Sequence, residues 1–434
     1  MEGKVEFYKE TEFKDTEIGR IPKDWELKKL KDIVKIESGK RERGGGKGNG
    51  EVLSLGGENI SPVGKLILNS PKYISKKFYN SLKSGRVKEK DILFVKDGAT
   101  TGKVGFIDEL PTKEVAVNEH LFIIRNKTNT VDQKFLYYIM ISNVFQNQIK
   151  SVFHGIIGGI TKSEMEEFYF PLPPLEEQQK IAEILSIIDG AIQKTDEIMD
   201  KTESLKKGLM QELFTKGIGH KEFKDTEIGR IPKEWEVMEL NDATIGITDG
   251  AHWSPKSISR GEYRIATVAN MKESYIDIFS CKLISEEDYL HLVKEGDVPE
   301  EGDVLFSKDG TVGICFTFNQ KTDKIGVLSS IAIIKPNRNI LLPDFTAYAL
   351  KAPNIFRQVI GNKIGTGLKR IILDDLRKIK IVVPSLSEQQ KIVEILLTLD
   401  YKIQILKQEE NKLQKIKQWF MDHLLTGRIR MRIA

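Results

Sequence analysis

At 434 residues, 40% hydrophobic and 30% charged, the chain has material for about two to four domains, and no apolar run reaches the ~18 residues of a membrane span. Met1-Glu2-Gly3-Lys4 leads into charged sequence rather than a secretory leader, and the two cysteines, Cys281 and Cys315, are too few for a disulfide framework and lack metal-ligand spacing, so a cytoplasmic protein is expected. A net charge of +4 excludes nucleic-acid binding by bulk charge and leaves local patches or a partner's help.

The first landmark is residues 12–23, Glu-Phe-Lys-Asp-Thr-Glu-Ile-Gly-Arg-Ile-Pro-Lys, with Trp25 one residue beyond. The same twelve residues return at 222–233, with Trp235 at the same distance. Identity over such a length marks an intramolecular duplication, with a period far too long for a solenoid. Each copy reads as a short Pro-led entry whose Trp packs against its own domain.

Between the landmarks the halves diverge. The first carries Ser38-Gly39-Lys40-Arg41-Glu42-Arg43 and a glycine-rich run, 44–50. The second has Thr248-Asp249-Gly250-Ala251-His252-Trp253-Ser254-Pro255-Lys256 there. Asp91 to Val95 and Asp303 to Phe306 read as buried strands. Each leads into Lys-Asp-Gly (96–98 and 308–310), a strong hairpin signal. Leu121 to Ile124 and Ile331 to Ile334 read as further strands, and Val131 to Ile149 and Leu342 to Ile360 as helices. Each globular segment is thus a mixed α/β domain.

A second repeat closes each half. Leu172-Pro173-Pro174-Leu175-Glu176-Glu177-Gln178-Gln179-Lys180-Ile181 recurs 211 residues on (172 to 383) as Val383-Pro384-Ser385-Leu386-Ser387-Glu388-Gln389-Gln390-Lys391-Ile392. The prolines end what precedes and suit a helix start. Ser385 and Glu388 have capping-box spacing. Apolar residues then follow a coiled-coil rhythm: Ile181, Leu185, Ile188, Ile192, Met199, Leu205, Leu209 and Leu213, with Thr195 and Thr202 in two seam positions. The second copy has Ile392, Leu396, Leu399, Ile403, Leu406, Leu413, Ile416, Phe420 and Leu424. Gly217 and Gly427 are the expected stops. Each helix spans roughly 40 residues, about 60 Å at 1.5 Å per residue. Two such helices most simply pair with each other. Ile184, Ile187 and Ile198, and Ile395 and Leu397, widen the stripe beyond a two-stranded seam, so partner helices or the adjacent domains must cover them. The expected division is 1–171 and 220–382 as globular domains, with long helices in 172–219 and 383–434.

A conserved frame with diverged interiors suits a ligand whose backbone repeats while its readable edges vary, which describes double-stranded DNA. Two identical readers would read a palindrome, and two diverged ones an asymmetric split sequence.

The Pro-x-Leu-x-Glu-Gln-Gln-Lys-Ile helix starts, the two Ile-Gly-Arg-Ile-Pro-Lys-x-Trp openings and Asp249 to Lys256 resemble the DNA-specificity subunit of Type I restriction–modification systems, over nearly the whole chain. The resemblance implies an α/β mixed fold: two pseudo-symmetric globular target-recognition domains joined by two long helices forming an antiparallel coiled coil. It implies a non-catalytic subunit with no cofactor of its own. Its partners are double-stranded DNA, two copies of a methyltransferase subunit using S-adenosylmethionine, and restriction/translocase subunits using ATP and Mg. The first half departs from the Asp-Gly-x-His pattern, so contacts do not transfer between the halves residue by residue. Candidate DNA-binding residues are Lys40, Arg41, Arg43, Lys47, Lys96 and Lys103 in the first half, and His252, Trp253, Lys256, Arg260, Lys308 and Lys369 in the second. Ile184, Ile187, Ile198, Ile395 and Leu397 are the candidate partner surface.

Rival readings are weaker. The glycine run fails the phosphate-loop pattern because Gly48 follows Lys47. Histidines 120, 154, 220, 291 and 423 are scattered without metal spacing. The Lys-Asp-Gly turns lack an assignable second acidic residue for a nuclease metal site. A coiled-coil scaffold that binds no DNA is the alternative.

Overall fold

The computed structural model describes residues 6–43, 50–152, 158–320, 324–361 and 370–432. The glycine-rich run at 44–49, with Lys47, and Lys369 lie outside the described residues. The chain divides into two compact units, one made of residues 1–196 and 408–434 and the other of 197–407. Both crossings between units fall inside long helices, Leu175–Leu213 and Leu386–Leu424, each of 39 residues.

In the first unit a four-stranded antiparallel sheet is ordered Val34–Ser38, Leu121–Asn126, Ile92–Val95, Val104–Phe106. Its strand Ile92–Val95 is buried at every residue because each face has its own core. Ile92 and Phe94 join the aromatic cluster of Phe135, Phe145 and Phe170, while Leu93 and Val95 pack with Leu53, Leu55, Val115 and Val117. Two-sided burial explains the unbroken apolar run. Leu53 and Val115 belong to a second, three-stranded sheet, Val115–Val117, Val52–Leu55, Lys72–Ile74. The second unit repeats this plan with Thr244–Asp249, Ile331–Pro336, Val304–Ser307 and Cys315–Thr317, and with Lys282–Ile284, Tyr263–Ala266 and Ile325–Val327.

The Lys-Asp-Gly segments do sit in hairpins, but in long loops: 96–103 and 308–314 separate the paired strands, with Gly98 and Gly310 at positive φ. The helices expected over 131–149 and 342–360 are each broken in two. Gln133–Ile141 and Asn143–Val152 meet at extended Ser142, and Pro343–Lys351 and Pro353–Ile360 meet at Ala352. Proline forces the second break by disfavouring helical backbone in the residue before it. Asp132 starts the first of these helices by accepting from the Phe135 N–H at 2.8 Å.

The structure explains both sequence repeats. The twelve-residue identity forms a hairpin, Phe13–Thr16 with Gly19–Pro22 and Phe223–Thr226 with Gly229–Pro232, that delivers a fully buried Trp25 or Trp235. Each indole N–H donates to the glutamate of the Glu-Gln-Gln motif, Trp25 to Glu177 at 3.2 Å and Trp235 to Glu388 at 2.9 Å. The next residue fastens the helix start to the domain. Gln178 donates to the carbonyls of Thr130 and Pro173 and accepts from the Asp132 N–H, and Gln389 does the same with Ile340, Pro384 and Leu342. These are buried polar groups with every bond made, which fixes a unique docking angle. The expected capping box at Ser385 closes on one side only. The Ser385 hydroxyl accepts from the Glu388 N–H at 3.3 Å, while the Glu388 carboxylate turns to Trp235 and His220. Glycine is required at both stops: φ is +63° at Gly217 and +65° at Gly427, and a Cβ would come within 2.6 Å of Trp235 or 2.3 Å of Pro22. In the first unit Arg430 joins this cluster through Glu177, Glu10 and Asp24, on the strand Ile429–Arg432 that pairs with Glu6–Lys9.

In each unit the start of one long helix lies antiparallel to the end of the other. In the first unit Asp189 accepts from the Tyr138 hydroxyl at 2.8 Å and pairs with Lys417 at 2.6 Å. In the second, Asp400 accepts from Tyr348 at 2.5 Å and pairs with Lys206. The lysines correct the expected seam. Leu205 and Ile416 are 53% and 45% exposed, and the lysine after each takes the inward position. A lysine stem packs like an apolar side chain while its ammonium reaches a carboxylate. Thr195 and Thr202 do occupy buried seam sites, each hydroxyl bonding back to the carbonyl four residues earlier.

Replacing Asp400 with Ala leaves the Lys206 ammonium and the Tyr348 hydroxyl without their shared acceptor. Losing such bonds at a half-covered site costs about 1–3 kcal/mol, a fall in melting temperature of roughly 2–4 °C per kcal/mol at this domain size. Calorimetry is expected to show similar losses for Asp400→Ala and Asp189→Ala. Unchanged melting of both would show that these pairs do not hold the helices.

Candidate nucleic-acid interface

Antiparallel pairing brings three loops to one pole of each four-stranded sheet. In the first unit these follow Ser38 and Val95 and precede Leu121; in the second they follow Asp249 and Ser307 and precede Ile331. Backbone bonds tie them together: Lys96 N–H to the His120 carbonyl at 3.0 Å, and Lys308 N–H to the Ser330 carbonyl at 3.0 Å. The Lys96 and Lys308 backbones are further held to Ile160 and Ile371. The pole is a rim tied by main-chain bonds that carries different side chains in the two units.

Most sequence-predicted residues gather there. Lys40, Arg41 and Arg43 are exposed beyond Ser38, and Arg41 lies 3.4 Å from Glu119. Lys96 pairs with Asp97 at 2.6 Å, and Lys103 reaches the Ile60 carbonyl at 3.4 Å. In the second unit His252, Trp253, Lys256 and Arg260 follow the end of the edge strand and are exposed, with Trp253 edge-on to His291 at 5.1 Å between centroids. Lys308 differs from expectation. It is 2% exposed and its ammonium lies 3.0 Å from Asp249, so it supports the pole from beneath instead of meeting a ligand. Asp249 also lies 3.4 Å from His252, and its Oδ1 is buried with no hydrogen-bond partner among the described residues.

Sequence reasoning missed Asp97 and His120. Asp97 accepts from both Lys96 and the His120 Nδ1. Burial acts to raise its carboxyl, but these two partners outweigh it and hold it below the usual aspartate range. Asp97 and His120 stand 23 residues apart, so no local motif could reveal the pair.

Two units of one plan, each with a diverged polar pole, match a known architecture. The model of the Type I restriction modification DNA specificity domain fits residues 22–202 and again 232–415. The chain belongs to this family. Among its relatives are two specificity subunits of Methanocaldococcus jannaschii Type I restriction enzymes. MjaVIII is 30% identical, over 99% of this chain and 98% of its own, and MjaIX is 24% identical, over 98% of each. The crystal structure of the Type I S subunit from M. genitalium shares the fold, with a TM-score of 0.56 at 16% identity over 92% of this chain and 96% of that one. A chain from a structural study of Type I complex assembly gives 0.55 at 18%, over 94% and 99%.

On this specificity subunit the candidate partner residues divide. Ile187, Ile198, Ile395 and Leu397 are exposed on the long helices, whereas Ile184 packs into the first unit's core. Leu205, Ile416, Tyr401 and Ile405 add to the uncovered apolar surface. None of the helices among the described residues is long and apolar enough to cross a membrane.

Proposed function

We propose that this specificity subunit reads an asymmetric, split DNA site, one part with each unit, and carries methylation and restriction subunits to it. The observation behind this reading is the contrast between frame and pole. The Trp–Glu and Gln fastenings recur at matching positions in both units. The poles do not match: Ser38 stands where Asp249 does, and His120 where Ser330 does. Unlike readers on like frames suit a non-palindromic target. Methylation sequencing of the source genome tests the reading. The expected result is a two-part asymmetric motif with modified adenines, and a continuous or palindromic motif would refute it.

The chemistry belongs to partners in this reading. The methyltransferase subunit supplies S-adenosylmethionine chemistry, the restriction/translocase subunit uses ATP and Mg, and this chain is not itself catalytic. The exposed apolar residues of the long helices take the partner's helices. Because each unit holds one start and one end of the paired helices, two methyltransferase copies fit, one per unit.

A consequence concerns affinity. Phosphate contacts dominate protein–DNA binding, and a net charge of +4 leaves few to spare. The isolated subunit is expected to bind its target weakly at physiological salt, and to bind at least tenfold more tightly once the methyltransferase is added. Titration at fixed salt measures both, and nanomolar specific binding by the isolated subunit would count against this view.

A further inference from the structure

We propose that His120 and His252 are equivalent DNA contacts of the two units, each imidazole set beside an aspartate that is itself paired with a less exposed lysine. The proposal rests on the reading of both units as DNA readers and adds which side chains touch the duplex.

The same three groups occur in the same order at both poles. In the first unit Lys96 lies 2.6 Å from Asp97, whose other oxygen takes the His120 Nδ1. In the second, Lys308 lies 3.0 Å from Asp249, and His252 Nε2 lies 3.4 Å from the same carboxylate oxygen. Exposure rises along each series. The lysine side chains are 25% and 2% exposed, and the histidine rings 49% and 75%. Only the lysines occupy matching positions. The counterpart of Asp97 is Asp309, which pairs with Arg370 at 3.0 Å. The counterpart of Asp249 is Ser38, and that of His120 is Ser330.

This mismatch carries the inference. A packing device copied by duplication would keep its positions, as the Trp–Glu pairs and the Gln fastenings do. Here the carboxylate and the imidazole come from different strands and loops in the two units, yet complete the same series. A shared demand at the pole's surface explains that, and an exposed ring is the member that can meet it. The Asp97 carboxylate, hydrogen-bonded to the His120 Nδ1, fixes that ring's orientation, and the Asp249 carboxylate lies beside the His252 Nε2 at 3.4 Å without a hydrogen bond; in each ring the opposite nitrogen is left for a ligand. Glu119 stands 3.6 Å from the His120 Nε2, too far for a hydrogen bond. The opposite nitrogen of a neutral ring held this way accepts, which suits the exocyclic amino group of adenine or cytosine, and that of a protonated ring donates, which suits a phosphate oxygen or the N7 and O6 of a purine edge. All of these groups lie on the duplex the pole faces in this reading. In the second unit the buried Asp249 Oδ1 has no hydrogen-bond partner among the described residues, a polar group that a ligand at the pole could satisfy.

The test uses the full subunit assembled with its methyltransferase, on its methylated motif and on a random duplex of equal length. His120→Ala and His252→Ala are each expected to weaken binding to the motif about tenfold, the worth of one hydrogen bond to a charged group. An equal loss on both duplexes, with a shallower salt dependence, assigns the rings to phosphates. A loss confined to the motif assigns them to base edges. Asp97→Asn and Asp249→Asn test positioning: each is expected to weaken binding when its histidine is present and to add nothing when it is Ala. Both rings are solvent-exposed, and gel filtration of the complex confirms assembly for every variant. Wild-type affinity for either alanine variant overturns the equivalence, and additive losses in the double variants overturn the positioning. If the unaltered complex does not separate motif from random DNA, it is the reading of the units as DNA readers that has failed.

Discussion

Replacing residues 30–168 with the matching stretch of another specificity subunit is expected to change one part of the methylated motif and to leave the other part intact. The boundaries follow from packing. Trp25, Glu177 and Arg430 stay native, so the hairpin, the helix start and the C-terminal strand keep their bonds. The exchanged segment carries the first unit's pole whole, with Lys40, Arg41, Lys96, Asp97 and His120. Gln178 receives from the Asp132 N–H and donates to the Thr130 carbonyl, main-chain groups that a relative with the same helix start also provides. The second pole, with Asp249, Lys308, Ser330 and Ile371, lies in the second unit outside the exchanged stretch and stays unchanged. Methylation sequencing of cells carrying the hybrid reads the result. If both parts of the motif change together, the units do not read independently.

The elements that made such boundaries visible differ in how far the sequence disclosed them. The duplication, the long helices and the alternation of strand and turn were legible because each is written in local periodicity or in outright repetition. Periodicity misled at Leu205 and Ile416. A hydrophobicity rhythm cannot register that the neighbouring lysine turns inward to meet an aspartate of the facing helix, since that choice depends on a residue some 200 positions away. Lys308 was misread for a related reason. A lysine beside a hairpin turn normally faces water, and only pairing of the edge strand with the central one brings Asp249 near enough to keep it covered. His120 had no local signal, because its partner Asp97 is a neighbour only across the sheet. The repeated Glu-Gln-Gln, by contrast, was legible as important and illegible as to purpose. Its conservation between halves comes from an indole and three backbone groups whose positions the sequence does not show.

Adding one heptad to each long helix, near Thr195 and near Leu406, is expected to lengthen the unread spacer of the motif while both read parts stay the same. The chain passes between units only within these helices, so their length governs the connection. Both insertion points lie between the aspartate locks. On the first helix Thr195 lies between Asp189 and Lys206, and on the second Leu406 lies between Asp400 and Lys417. Each lock therefore keeps its partner, and seven residues on both strands preserve the seam, whereas three or four would rotate it out of register. Seven residues add roughly 10 Å of helix at 1.5 Å each, and B-DNA rises about 3.4 Å per base pair, so the spacer grows by about three base pairs at most. Rotation works against the full change. With about 10.5 base pairs per turn, three base pairs carry the far part of the site about 100° around the duplex axis, and the inserted coiled coil supplies no equal rotation. The lengthened complex is expected to settle on the spacer that best balances rise against twist and to bind it more weakly than the parent binds its own. Methylation sequencing gives the spacer and a titration gives the loss. Full activity on the original spacer would show that the paired helices do not measure the distance between the two read parts.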